Sequence, residues 1–377
     1  MSRLTTIGTF DVRAASPADD SDLRRLLRDN PMDGEISVSL EREPDVFLSN
    51  SIEGHHHDMI VARDAASGRV AGMASRSMYE GFLNGVPRSI GYLGQLRVDH
   101  RFRGRAGLLS RGYALMRSLR GPGDLPFDLT TIVVDNARAR RVLESGLDGL
   151  PAYRPLETLT TLILPLWRRQ KTLASHAIRV TRGSRDLMQD VVRCMDRNRR
   201  RFQFAPRWTA DALLSTSRSR DLTPGDFLIA ERGGTIAGCL AVWDQSRFKQ
   251  IVVRGYGSSM RRWRPWLELS ARLTGTPRLP AAGERLSHAY LSHLAIDDDD
   301  EEIFSLLLAH ACNAALERGH ACLILGFAER HPFLERIRRT HRAWTYSSIL
   351  YAACWEECAD VLTRIDSRTP HLEVGLL

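Results

Sequence analysis

"VDHRFRGRAGLLSRG", Val98 to Gly112, places Arg101, Arg103, Arg105, Gly104 and Gly107 in a turn between two apolar segments. Upstream, "RSIGYLGQLRV" (88–98) reads as a strand. Downstream, Leu108, Gly112, Leu115 and Leu119 share one helical face, with Leu109 and Met116 beside them, and Gly121-Pro122 ends the helix. A strand that turns directly into a helix presents unpaired N–H groups and the positive end of the helix dipole, a ready site for phosphate. Gly104 permits close backbone approach or a positive φ, and Ala106 keeps the wall of the turn low. The three arginines add forked donors that suit phosphate oxygens.

Around this turn the pattern alternates strands and helices. "FDVRAA" (10–15) reads as a strand, followed by a helix opened by Ser16 with Pro17 at its first position. Two strands then meet at a turn around Ser67 and Gly68. After the opening stretch come a buried-type strand (Asp128 to Val134), a short helix capped by Asn136 and stopped by Gly146, and the strand "LETLTTLILPL". From Pro165 to His176 the chain turns polar and basic, as a linker would.

The order then starts again, with "AIRVTRG" as a strand, a helix from Ser184, and a hairpin across Gly233-Gly234. Tyr92-Leu93-Gly94-Gln95-Leu96-Arg97-Val98-Asp99 matches Tyr290-Leu291-Ser292-His293-Leu294-Ala295-Ile296-Asp297, 198 positions further on, and the helix-ending glycines Gly121 and Gly319 keep that spacing. A duplicated α/β (α+β) unit is therefore expected: two tandem domains, each a mixed central sheet flanked by helices. Their bounds are 8–166 and 178–358, with 167–177 as linker and 359–377 as a C-terminal tail. Where the first copy has Arg101 to Ala106, the second has Asp299-Asp300-Glu301-Glu302-Ile303-Phe304. Carboxylates there repel pyrophosphate and satisfy the helix dipole themselves, so only the first copy is expected to bind it.

Composition narrows the function classes. At 377 residues the chain accommodates two domains of the usual size, about 100–200 residues each. No apolar run approaches the roughly 20 residues of a membrane span, and the N-terminal residues resemble neither a secretory signal nor a transit peptide. A cytoplasmic location without membrane contact is expected. The net charge of +8 raises nucleic acid as a partner. All but Lys171 and Lys249 of the 53 basic residues are arginines spread along the chain, however, and no basic block interleaved with aromatics recurs, so none is expected. The six cysteines form no CxxC pair and read as buried reduced thiols, Cys354 and Cys358 on one helical face. His55 to His57, in "IEGHHHDM", read as a solvated turn, and no metal site is expected.

Taken with its flanking elements, Arg101-Phe102-Arg103-Gly104-Arg105-Ala106 resembles the phosphate loop [QR]-x-x-G-x-[GA] of the GNAT superfamily of acyl-CoA N-acyltransferases, and Asn136-Ala137-Arg138-Ala139 resembles that family's N-x-x-A helix start. The resemblance covers most of residues 10–165; for 178–356 it rests on element order and the repeat. It implies acetyl-CoA or a related acyl-CoA as cosubstrate, bound by Leu96, Arg97, Val98, Arg101, Arg103, Gly104, Arg105, Ala106, Gly107, Leu108 and Asn136. It also implies direct attack of a small-molecule or peptide amine on the thioester in a ternary complex. The chain departs from the family pattern at Leu143, where many members carry a tyrosine acid. Tyr153 is the candidate substitute. No carboxylate stands on the central strand at Gly91, Gly94 or Gln95; Glu80 is the candidate base, and Asp99 is expected to cap the loop. A non-catalytic acyl-CoA sensor is the competing reading. The insertion at 246–280, with Trp263 and Trp266 among arginines, is expected to pack between domains, with a lid, an acidic-substrate site or a membrane foot as alternatives.

Overall fold

The computed structural model describes residues 10–377 apart from 33, 106, 173–174, 259, 264–265, 267–277 and 357. The first half runs β1 (Phe10–Ala14), α1 (Asp20–Asp29), β2 (Ile36–Glu41), α2 (Asn50–Glu53), β3 (His56–Asp64), β4 (Val70–Leu83), β5 (Val86–Val98), α3 (Leu108–Ser118), β6 (Phe127–Val133), α4 (Ala137–Leu143) and β7 (Ala152–Pro165). The second runs β8 (Ile178–Arg182), α5 (Met188–Arg199), α6 (Ala210–Leu213), β9 (Phe227–Arg232), β10 (Thr235–Trp243), β11 (Gln250–Tyr256), β12 (His288–Ile296), α7 (Glu301–Glu317), β13 (Cys322–Ala328), α8 (Pro332–Thr340) and β14 (Trp344–Cys354).

The expected mixed sheet flanked by helices is present, and the two halves share one. Twelve strands form the order β1-β3-β4-β5-β6-β14-β7-β13-β12-β10-β9-β8. From either edge inward the pattern repeats: three antiparallel pairings, then one parallel pairing, β5 with β6 or β12 with β13. At the centre the last strands are exchanged. β14, from the second half, lies between β6 and β7, while β7, from the first half, lies between β14 and β13. Leu350, fully buried on β14, faces Thr131 of β6 and Glu157 of β7, and packs in a cluster with Tyr92, Leu129, Leu159 and Ala328 drawn from both halves.

Two strands escape the sequence reading, β2 and β11. They pair antiparallel as a separate sheet, Gln250↔Glu41 through Tyr256↔Ile36, which ties the first half's α1–α2 connection to the second half's insertion. The insertion's Trp263 and Trp266 are exposed, so they do not provide the interdomain packing expected of them. The expectation of six reduced thiols is corrected at one pair. Cys354 ends β14 and Cys358 caps the next turn, which brings their Cα atoms to 5.9 Å and joins them as a disulfide instead of placing them along a helix. Cys194, Cys239, Cys312 and Cys322 are free and buried.

A buried ionic network closes the junction of β4, β5 and β6. Arg76 donates to both oxygens of Asp128, which also accepts from Arg120 and from the Trp355 indole at 2.7 Å. Gly91 leaves the space this carboxylate fills: a Cβ there would stand 1.7 Å from Asp128 Oδ1. The glycine that looks like a missing base is thus the seat of a neighbouring acid, neutralised by two guanidiniums.

Because the central cluster draws on both halves, Leu350→Ala should cost about 2–5 kcal/mol and lower the unfolding of the whole chain as one transition. Differential scanning calorimetry checks it; two separated transitions, only one of them shifted, would contradict a shared core.

Candidate functional site

On β5, Ser75 faces Gly94 and Met73 faces Arg97, so Gln95 and Leu96 together oppose one residue of β4. That bulge puts Gln95 at φ +53, a left-handed conformation that costs a non-glycine residue about 1–2 kcal/mol. Past the single pairing Tyr92↔Leu129, β5 and β6 have no further ladder pairs, so the two strands part and leave a wedge whose wall is the bulge. The second copy repeats the device. His293 and Leu294 oppose one residue of β10, His293 sits at φ +57, and β12 leaves β13 after Tyr290.

At the wide end of the first wedge, Asp99 accepts from the Arg101 amide at 2.9 Å, as expected of a loop cap. Gly104 and Gly107 have φ of +79 and +81, and Gly107 directly precedes α3, whose first-turn amides have no intrahelical acceptor. Arg101, Arg105, Gly104 and Gly107 are exposed, with open space where a Gly104 side chain would stand. Ala106 lies outside the described residues. Leu96, Arg97 and Val98 form the β5 wall below this loop, and Leu108 opens α3, buried. Across the wedge, Asn136 Oδ1 accepts from the Ala139 amide at 3.1 Å and caps α4. The loop residues and Asn136 thus rim one opening.

The two proposed catalytic side chains stand elsewhere. Glu80 pairs with Arg207 at 2.8 Å, and its register partner on β5 is Ser89, six residues before the bulge and so about 20 Å along the strand. The geometry does not support Glu80 as a base, because the long β4–β5 hairpin carries it away from the wedge. Tyr153 lies beside the closed end, its hydroxyl bonded to that of Tyr113 at 2.6 Å and its ring against Tyr351. Burial raises both phenols, Tyr113 to about 12 and Tyr153 well above its ordinary value, so each keeps its proton at neutral pH.

A different group faces the bulge. Glu53, at the end of α2, is buried and shared by Arg42 at 3.1 Å, His57 Nε2 at 3.1 Å and Gln95 Nε2 at 3.3 Å. Against its own burial, the Arg42 charge and His57 hold the Glu53 carboxyl at about 2. Gly54 lets α2 press on β4, since a Cβ there would stand 2.2 Å from the Met78 carbonyl oxygen. The histidine run is therefore no solvated turn at His57, whose side chain is 5% exposed. The signal was available: stepping back by two from the inward-facing Val61 and Met59 of β3 reaches His57.

In the second copy the same positions are occupied by the chain itself. Asp300 accepts from the amides of Glu302 and Ile303, filling the place a phosphate would take at α7. Arg197 and Arg201 pair with Asp297 and Asp299. Within the wedge, Glu373 of the tail accepts from the His293 amide at 2.9 Å, and Val374 packs on Gly326. A void of about 10 Å³ lies among Phe202, Asp299 and His371. Against a burial penalty, Arg199, His293 and His371 hold Glu373 at about 2, while burial lowers both His293 and His371 to about 4.

Those two imidazoles make stability depend on pH. Their folded values lie below the ordinary 6.5, so between about pH 6.5 and 4 the unfolded chain binds protons that the native state refuses, and stability falls as pH drops through that window. The urea midpoint should be lower at pH 5 than at pH 7, and His293→Gln should narrow the difference. An equal or higher midpoint at pH 5 would contradict the assignment.

Solved structures share this fold over most of the chain. A GCN5-related glucosamine N-acetyltransferase region of a fungal multi-domain GH3 β-N-acetylglucosaminidase is 15% identical with a TM-score of 0.59 and covers 92% of this chain. The chain spans 38% of that protein's length. A GCN5-related N-acetyltransferase from Sphaerobacter thermophilus is 15% identical with a TM-score of 0.55, covering 91% of this chain and 95% of its own. Saccharomyces cerevisiae N-myristoyltransferase with bound myristoyl-CoA is 12% identical with a TM-score of 0.59, covering 93% and 80%. No protein-family model and no curated protein matches the sequence.

Proposed function

We propose that this chain, which carries the tandem GNAT fold, is an N-acyltransferase that moves an acyl group from acetyl-CoA or a longer acyl-CoA to an amine. The observation that carries the reading is the paired bulge. At His293 the bulge amide holds a carboxylate oxygen of the chain's own tail. In this reading the equivalent amide at Gln95, beside the wedge where β5 and β6 part, receives the oxyanion of a thioester under attack. That the yeast neighbour holds myristoyl-CoA supports an acyl-CoA in a fold of this kind.

In this reading the pyrophosphate rests on Gly104, Gly107, Leu108 and the α3 amides, with Arg101, Arg103 and Arg105 around it. The pantetheine runs along Leu96, Arg97 and Val98 opposite Asn136. His57, backed by the Glu53 carboxylate, takes a proton from the acceptor ammonium, as an acid-oriented imidazole does in other nucleophilic sites. The amine then attacks the thioester carbon, and the thiolate leaves. In this reading Tyr153, bonded to Tyr113 beside the closed end, relays a proton from the acceptor nitrogen to that thiolate. Residues 8–166 serve as the acyl-CoA-binding copy and 178–358 as the copy that shapes the acceptor side. A cytoplasmic location and the absence of nucleic-acid partners remain part of this proposal.

Titration calorimetry with acetyl-CoA and myristoyl-CoA tests the cradle. Gly104→Glu should weaken binding at least tenfold, while Asp300→Ala in the second copy should leave affinity within about twofold and cost about 1 kcal/mol of stability. Binding indifferent to Gly104→Glu would remove the phosphate-loop assignment. Thiol release tests the chemistry: Glu53→Gln should lower kcat about 100-fold or more with acyl-CoA affinity kept. Tight binding with no release on any amine would mark a sensor.

A further inference from the structure

The face of β5 opposite α3 carries more charge than acyl transfer needs. Leu96 packs with Leu93 and Tyr113, and Val98 with Leu108, on the α3 side; Gln95 and Arg97 point the other way, toward Arg42 and Glu53. Arg42 follows β2 and Lys249 precedes β11, so the β2–β11 pairing brings a residue of each half to the same spot. Glu53 is the one carboxylate in ion-pair range of Arg42 among the described residues, and Arg97 has none. The Arg97 guanidinium bonds to the Leu96 carbonyl at 2.9 Å. Burial, and after it the Arg42 charge, lowers it to about 10.

Three buried polar atoms around this group have no partner among the described residues: Arg42 Nη1, His57 Nδ1 and Gln95 Oε1. The Arg42 and His57 side chains are 7% and 5% exposed. A buried guanidinium with a vacant donor, a second guanidinium without a counter-ion and an imidazole with a vacant nitrogen ask for a ligand with an anion and an amine close together. Arg42 and His57 each sit one hydrogen bond from the same carboxylate, which brings an anion-binding group and a base close together.

We propose that the acceptor is a free α-amino acid, its carboxylate held between Arg42 and Arg97 and its amine presented to His57 beside the Gln95 bulge. This rests on the acyltransfer reading above and names its substrate class. The ammonium gives one proton to His57, and the nitrogen lone pair forms a C–N bond to the thioester carbon. The C–S bond breaks, and the second nitrogen proton goes to the departing thiolate. The products are an N-acyl amino acid and CoA thiol, and His57 returns its proton to solvent. A peptide N-terminus places an amide where this site offers two guanidiniums, and a plain amine leaves Arg97 without a counter-ion and Arg42 Nη1 without an acceptor.

The test follows thiol release from acetyl-CoA, octanoyl-CoA and myristoyl-CoA with the twenty L-amino acids, their α-amides and a glycine-led tripeptide. At least one free amino acid should exceed its own amide and the tripeptide by 100-fold or more in kcat/KM. For that acid, Arg97→Gln should raise KM tenfold or more with kcat within about threefold, and Arg97→Lys should recover part of the loss. The proposal is overturned if amides or the tripeptide match the free acids, or if no free acid is turned over. Calorimetry with the same acyl-CoAs on the same preparation separates the two failures. If acyl-CoA binds and amides are acylated, only the carboxylate reading falls; if no acyl-CoA binds, the transferase reading falls with it.

Discussion

Everything in this molecule hangs on the seating of β14 between β6 and β7. Each half ends in one long strand, and that strand pairs only with strands of the other half. The wedge between β5 and β6 is held open on one side by the β4–β5 bulge and on the other by β6, whose outer neighbour is β14. A strand from the second half therefore braces the wall of the first half's candidate cofactor cleft. The exchange also explains why the cores run together: Leu129, Leu159, Ala328 and Leu350 belong to one cluster.

The two copies keep the same strained backbone and put it to different ends. A non-glycine residue at positive φ in the middle of a strand is costly, and retaining it at both Gln95 and His293 shows how firmly the register around it is set. In one copy the turned amide borders an opening rimmed by glycines and arginines. In the other it is satisfied by Glu373, and the helix start beyond is satisfied by Asp300. The buried carboxylate, its arginine and the surrounding histidines have converted an opening into core. The tail is pinned there further by Lys249, which donates to the carbonyls of Gly375 and Leu377.

Much of this was legible in the residues and some was not. The spacing from Tyr92 to Asp99 and from Tyr290 to Asp297 exposed the duplication, because a strand leading into a helix keeps its length when its side chains drift. The contrast of Gly104 and Arg105 with the acids at the second turn located the open copy, because charge at a helix start has a definite sign preference. Strand exchange left no trace, since period-two alternation says which face a residue takes and nothing about which strand lies beside it. β2 and β11 were missed because each finds its partner some two hundred residues away. Glu53 and His57 were missed because a histidine run reads as polar, whereas the alternation of β3 carries its second member inward. Glu80 drew attention because the central strand itself offers no carboxylate, and only the length of the hairpin shows how far it stands from the wedge.

The interleaved centre has a consequence in time. β6 and β7 emerge from the ribosome about 210 and about 180 residues before β14, on the order of 10–40 s at ordinary elongation rates. Through that interval β6 presents an unpaired, apolar edge of the kind that invites wrong pairing. The first half cannot complete its sheet until β14 arrives between β6 and β7. A protein whose halves look like separate units in its sequence is, on the ribosome, a single unit completed only near its end.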